Sequence, residues 1–350
     1  MGGSKTRFEM DGGFGVKALV TGGGGFLGGA VVRLLLRRGA SVRSFTRSAY
    51  PWLDELRVEQ VHGDLSDAAA VEAAVAGCDV VFHTAAKAGV WGRRADYFAT
   101  NVTGTENIIH ACRTAGVRKL VYTSTPSVVH CGGDLAGVNE TAPYATHFES
   151  DYSATKATAE RAVLAANNAS LATVALRPHL IWGPGDPHLI PRILARGRAG
   201  KLRRIGSRPV TVDVTYVDNA ATAHTLAADR LSIDSPIAGK AYFISNGEPQ
   251  QLWDFLNRVL KDAGVAPVTR SVPVWLARMG GRFLERFYKL FRLSGEPPMT
   301  RFVASQLSTS HWFDISAARR DLGYEPLVSV EEGLRRLAAS FRPDEFRAAA

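Results

Sequence analysis

From Val16 onward, short apolar runs alternate with longer stretches whose apolar residues recur at steps of three and four. That pattern predicts strands alternating with amphipathic helices. Strands are expected at KALVT (17–21), SVRSFT (41–46), within RVEQVHGD (57–64), and at DVVFHTAA (79–86), KLVYTST (119–125) and TVALRP (173–178). Between them, Phe26 to Arg38 places Leu27, Val31, Leu34 and Leu35 at helical spacing, and 96–115 and 151–168 read as further helices. Alternation of this length implies an α/β fold with a parallel sheet covered on both faces. Right-handed crossovers make it a Rossmann-type, doubly wound sheet. After residue 178 the alternation weakens and Gly-Pro turns appear in WGPGDP (182–187). The expected organisation is a flexible leader (1–15), a sheet-forming part (16–178) and a smaller C-terminal lobe (179–350) that returns some elements to the sheet.

Composition narrows the class. The chain has 350 residues, 46% hydrophobic and 21% charged, an ordinary globular balance that excludes disordered and fibrous classes. Cys78, Cys112 and Cys131 are an odd set without metal-ligand spacing. They read as reduced thiols of a cytoplasmic chain, and no metal site is expected. No apolar stretch is long enough for a transmembrane helix. The start, MGGSKTRFEMDGGFG, lacks the apolar centre of a secretory signal. Its Gly2 and Thr6 fit a myristoylation pattern, but that pattern is short and the stretch reads as a leader. The net charge is +9, yet no recognition motif accompanies it, so no nucleic-acid partner is expected.

The 34 glycines are unevenly spread. TGGGGFLGG, from Thr21 to Gly29, follows a strand, opens a helix and fits Gly-x-x-Gly-x-x-Gly through Gly22, Gly25 and Gly28. Gly22 suits the sharp turn, Gly25 a close approach of backbone to a pyrophosphate, and Gly28 close helix–strand packing. Free N–H groups at the helix start, around Phe26 and Leu27, and the helix dipole would then hold the phosphates. The next strand ends Ser44-Phe45-Thr46-Arg47-Ser48, without the carboxylate that binds an NAD ribose. Arg47, beside Ser48, suits a 2′-phosphate, which favours NADP(H). Asp64, beside Leu65, either accepts from the adenine amino group or caps the next helix. Ala85 and Ala86 are small at a strand end, with Lys87 next to them. Asn101 lies in a helical pattern, where an exposed side chain is the ordinary alternative. Thr123 and Pro178, at the ends of the fifth and sixth strands, complete the cofactor set.

Tyr152 and Lys156 are four residues apart in DYSATKATAE, hence on one face of a helix. A hydroxyl-rich strand end, YTSTPS (122–127), precedes them. TGGGGFLGG, HTAA (83–86), NVTGT (101–105), YTSTPSV and YSATK together resemble the extended short-chain dehydrogenase/reductase superfamily, within it the 3β-hydroxysteroid dehydrogenase-like branch. VFHTAAKAGVWG (81–92), LVYTSTPSVVH (120–130), ASLATVALRPHLIWGPGD (169–186), AGKAYFISNGEP (238–249) and GEPPMTRF (295–302) resemble the 2-alkyl-3-oxoalkanoate reductases of bacterial long-chain olefin biosynthesis. The resemblance spans roughly residues 16–340. It implies NADPH-dependent reduction of a long-chain β-keto acid to the 3-hydroxy acid, in assembly with other pathway enzymes or as a homo-oligomer.

On that reading Tyr152 donates the proton, and the Lys156 ammonium lowers its pKa and holds the nicotinamide ribose. The Thr125 hydroxyl binds the substrate oxygen, with Ser124 as second choice because neighbours on a strand face opposite ways. Pro126 and Ser127 follow. Trp91, Val128, Ile181 and Trp182 would line an apolar groove, plain core being the ordinary alternative for each. His179, His188 or Arg192 would meet the carboxylate, unless His179 serves a hydrogen bond to backbone. Two other readings stay open: a 3β-hydroxysteroid or sterol dehydrogenase with the same residues, and a non-catalytic NADP-binding sensor or scaffold. Retention of both Tyr152 and Lys156 argues against the second.

One segment stands apart. In 272–293, Arg278, Arg282, Arg286, Lys289 and Arg292 recur at helical steps among Leu, Phe, Trp and Tyr, with Glu285 as the sole acid. One reading is an interfacial helix with its basic face toward lipid phosphate and its apolar face inward, leaving the protein cytoplasmic or peripheral to a membrane. A helix simply packed on the core is at least as ordinary, and the resemblance favours contact with a partner enzyme.

Overall fold

A computed structural model describes residues 15–341. The leader up to Phe14, with its myristoylation pattern, lies outside the described residues. Seven strands form one parallel sheet: β1 (Lys17–Thr21), β2 (Ser41–Thr46), β3 (Glu59–His62), β4 (Val80–His83), β5 (Lys119–Thr123), β6 (Ala172–Pro178) and β7 (Lys240–Ile244). Their order is β7-β6-β5-β4-β1-β2-β3, with β1 paired to both β2 and β4. The chain reverses direction across the sheet at β1/β4, where an open α/β sheet forms its ligand crevice.

Alternation along the strands divides the core. In β1, Ala18 and Val20 join one apolar cluster while Leu19 joins the other, because successive side chains leave a strand on opposite faces. One face is covered by α1 (Phe26–Arg37) packed on the later helix Val217–Arg230; the other by α2 (Gly104–Thr114) and α3 (Asp151–Ala165).

Two local departures from the expected elements are seen. The fourth strand ends at His83 rather than Ala86, because Thr84 Oγ1 donates to the Thr21 carbonyl (2.7 Å) and Ala85 N–H to Thr21 Oγ1 (3.1 Å), turning the chain off the ladder. The helix expected at 96–115 is broken: Arg94–Phe98 passes through a π-helical segment, Ala99–Thr103, before α2. The seventh strand, β7, comes from beyond residue 178 and pairs with β6, an element returning to the sheet as expected.

The second half also builds a small sheet from Gln250–Gln251, Thr211–Val212, His311–Phe313 and Leu135–Val138, the last drawn from the loop after β5. Helices α4 (Leu189–Arg198), α5 (Leu252–Asp262), α6 (Val274–Leu290) and α7 (Arg301–Gln306) complete this region. No helix among the described residues is long and apolar enough to cross a membrane.

Candidate active site

A cleft of about 1460 Å³ runs from the glycine turn, past Thr125, Tyr152 and Lys156, to an apolar end lined by Ile193, Leu252, Phe255 and Phe302. Its first wall follows from the glycines. Gly22 has φ +70°, a conformation disfavoured for residues with a Cβ. At Gly28 a Cβ would stand 2.1 Å from the Gly22 carbonyl oxygen, so α1 reaches the end of β1 only through glycine. Gly25 caps α1 without any side-chain bond, and the first turn has no acid. Its backbone donors and the positive end of its dipole therefore remain open to an anion.

Beneath the turn, hydroxyls and a histidine lock the strand ends. Thr105 Oγ1 donates to the Asn101 carbonyl (2.7 Å) and so accepts from His83 Nε2 (3.0 Å). His83 Nδ1 then accepts from Thr21 Oγ1 (2.8 Å). Burial keeps His83 neutral, its pKa pulled down to about 3.

Arg47 lines the cleft at the end of β2, as do Asp64 and Leu65 after β3. Asp64 Oδ1 already accepts from the Ser66 amide (2.9 Å) and hydroxyl (2.6 Å). Those bonds, then Arg47 nearby, hold its carboxyl below the usual range against the opposing effect of burial. Ser48 does not reach the cleft: it is exposed and its carbonyl accepts from Thr46 Oγ1 (2.8 Å). Tyr50, which the motif reading passed over, packs on the turn so tightly that a Cβ at Gly24 would fall 2.2 Å from its ring.

Ala85, Ala86 and Lys87 form the adjoining wall. Asn101 lies behind it, 2% exposed. Its side chain accepts from Lys87 N–H (2.7 Å) and donates to the Lys87 carbonyl (3.2 Å) and Thr155 Oγ1 (3.1 Å). The π-helical segment sets Asn101 inward as a clamp on the Lys87 loop, so it serves the wall without facing the cleft.

The reacting end is built by β5 and α3. Ser124 is buried with an unpartnered Oγ, whereas Thr125 is half-buried and caps a short turn by accepting from Ser127 N–H (3.3 Å). Thr123, Pro126, Ser127 and Pro178 are on the same wall. Ser150 caps α3 and starts the helix that carries Tyr152 and Lys156 into the cleft.

Lys156 is 2% exposed; its Nζ donates to the Thr123 carbonyl (2.5 Å) and lies 4.1 Å from the centre of the Tyr122 ring. Burial lowers its pKa to about 7, against the upward pull of Glu160. The Tyr152 phenol is pushed up by burial, and the counteracting influence is the Thr125 hydroxyl rather than the lysine. Desolvation acts on both groups, disfavouring the phenolate of Tyr152 and the ammonium of Lys156.

One turn beyond Lys156, buried Glu160 accepts from Arg177 Nη2 (2.5 Å) and Tyr144 Oη (2.6 Å). The i+4 spacing from Lys156 was the available sequence signal for Glu160; nothing local marked Arg177 as its partner.

On the substrate side the expectations divide. Ile181 and Arg192 line the cleft, Arg192 paired to Glu296 at 2.7 Å. Trp182 and Val128 are fully buried core instead, Trp182 against Tyr216 and Phe255. Adjacent residues on a strand face opposite ways, and Ile181 takes the cleft side. Trp91 lies outside the lining, edge-on to Tyr288 at 6.3 Å. His188 lines the cleft but is exposed; its backbone N–H, with those of Leu189 and Ile190, is gathered by buried Asp186 at the start of α4.

His179 is not a cation for a carboxylate. His311 Nε2 faces the Gln306 carbonyl (2.9 Å), so it donates there, and its Nδ1 must accept from His179 Nε2 (2.6 Å). Burial pushes His179 well below the usual histidine range and His311 to about 4. Both stay neutral.

Residues 19–274 match the 3-beta hydroxysteroid dehydrogenase/isomerase family. Over 328 residues the chain is 54% identical to a 2-alkyl-3-oxoalkanoate reductase of Stenotrophomonas maltophilia, covering 93% of this chain and 99% of that one. It is 53% identical to a protein of the same name from Shewanella oneidensis, covering 92% and 86%. Among solved structures it is similar to UDP-glucose 4-epimerase of Thermus thermophilus in complex with NAD. The TM-score is 0.72 and the identity 26%, with 94% of this chain and 99% of that chain covered.

Proposed function

This chain belongs to the 3-beta hydroxysteroid dehydrogenase/isomerase family and is an oxidoreductase, and we propose that it reduces the 3-oxo group of a 2-alkyl-3-oxoalkanoic acid. The substrate would be a long-chain β-keto acid, the product its 3-hydroxy acid, the reductant NADPH, and the setting long-chain olefin biosynthesis. What supports this most directly is one continuous cleft: an uncapped glycine-turn helix at one end, Thr125, Tyr152 and Lys156 in the middle, and a long apolar reach beyond. Residues 16–178 would mainly serve the dinucleotide and 179–350 the substrate.

The residues fit a dinucleotide. The open donors from Phe26 to Gly28 suit the pyrophosphate, Asp64 and Leu65 the adenine, and Ala85 to Lys87 and Lys156 the riboses. Arg47, with no carboxylate at the end of β2, favours a 2′-phosphate and hence NADP over NAD. When bound, the cofactor supplies hydride for the carbonyl carbon.

The chain's own groups would do the rest. Thr125 and Tyr152 hold the ketone oxygen by hydrogen bonds that strengthen as it gains negative charge. Tyr152, kept protonated by burial, gives that oxygen its phenolic proton. Lys156, anchored on the Thr123 carbonyl, retains N–H groups for a ribose hydroxyl.

The test is NADPH oxidation across a panel of α-alkylated β-keto acids and 3-oxosteroids. Faster turnover of the β-keto acids is expected. Preference for the steroids would transfer the reading to a steroid or sterol dehydrogenase, and turnover of neither would refute it.

A further inference from the structure

Helix α6 inverts the orientation expected from its sequence. The residues it buries are Ala277, Gly281 and Glu285, a narrow seam against the chain around Thr300 and Arg301. Gly281 permits this approach, since a Cβ there would lie 2.8 Å from the Thr300 carbonyl carbon. The large apolar side chains are outside: Trp275 is 62% exposed, Met279 58%, Phe283 66% and Leu290 77%. A contiguous exposed stripe of this kind marks an interaction surface.

At about 100° per residue, three faces follow one another around the helix. Arg278, Arg282, Arg286 and Lys289 form one flank. Met279, Phe283 and Leu290 face directly away from the body, with Leu276 and Phe287 just past them. Gly280, Leu284 and Ala277 come next, and these line the cleft. The exposed apolar face is thus continuous with the cleft wall, and the cations lie on its other side.

We propose that α6 docks on an anionic lipid surface, its stripe of Met279, Phe283, Phe287 and Leu290 sunk among the acyl chains and its basic flank, which also carries Trp275, at the headgroups. The charges select this occupant. Among the described residues, Arg282 and Arg286 of this flank make no ion pair and Arg278 pairs with Glu149 at 3.2 Å, while Glu285, the only acid of the helix, is buried and bound by Arg301 at 2.8 Å. A second copy packed antiparallel on the same face would set the cations of one flank against their like. Anionic headgroups complement them, and Trp275 adds an aromatic suited to the interface. Resting on the function proposed above, the adjoining cleft wall would admit a two-chain apolar acid directly from the bilayer.

The experiment is co-sedimentation of the full chain with phosphatidylcholine vesicles, with and without phosphatidylglycerol, at low and high salt. Binding to the anionic vesicles that weakens with salt is expected. Phe283→Asp/Phe287→Asp should lower partitioning by about tenfold or more, and Arg282→Glu/Arg286→Glu should remove the preference for anionic lipid. With a short, soluble β-keto acid the Phe283→Asp/Phe287→Asp variant should turn over as wild type, and lose rate on vesicle-borne long-chain substrate. No wild-type binding at low salt would overturn the proposal, as would binding unchanged in both variants. So would a lipid-free dimer dissociated by Phe283→Asp/Phe287→Asp in a protein that ignores vesicles. Vesicle binding by a protein that reduces no β-keto acid would support the lipid surface and refute the catalytic reading alone.

Discussion

Replacing Lys156 by methionine should abolish turnover and yet stabilise the protein near neutral pH. Burial takes the Lys156 pKa from 10.5 to about 7. At about 1.4 kcal/mol per tenfold change in proton affinity, the charged form costs the fold about 5 kcal/mol. The sign follows from linkage: the unfolded chain holds this proton up to pH 10.5 and the folded chain releases it near 7. Unfolding therefore takes up a proton between those values, and stability rises with pH there. The penalty is full below pH 7 and fades toward 10.5. Methionine removes it but costs about 1–3 kcal/mol by taking a donor from the Thr123 carbonyl, now held at 2.5 Å. The variant should thus be more stable by about 2–4 kcal/mol at pH 7, with the difference gone or reversed by pH 10. Urea unfolding of both proteins at the two pH values measures it. A variant less stable at pH 7, or a difference independent of pH, would refute the claim that desolvation dominates at this lysine.

Tyr152→Phe should lower turnover by about a hundred- to ten-thousandfold while a fluorescence titration finds NADPH binding nearly unchanged; near-wild-type rates would sink the proton-donor role. Arg47→Ala should lower kcat/KM with NADPH by about ten- to a hundredfold, the worth of a charge-assisted bond, and leave NADH kinetics alone. Equal losses with both cofactors would mean that Arg47 does not read the 2′-phosphate.

Local pattern carried much of this molecule. The bounds of β1 and β2 match the expected strands residue for residue: β1 stands out as the apolar run that a strand buried on both faces needs, β2 by its alternation. The glycine turn and the Tyr152–Lys156 pair were legible because each depends on spacing within a single turn or helix. Tertiary structure decided whatever depends on what lies opposite. Strand alternation separates Ile181 from Trp182 but cannot say which meets a cleft and which meets Phe255. The presence of Tyr152 and Lys156 is local, whereas the direction of their pKa shifts is set by burial beneath segments distant in the chain. The periodicity of 272–293 shows an amphipathic helix, yet orientation went to the small residues: Ala277 and Gly281 allow a close backbone approach that Phe283 and Phe287 would block. Periodicity reports how residues are distributed around an axis. Which side is buried depends on the shape of the surface it meets, and that surface exists only once the chain has folded.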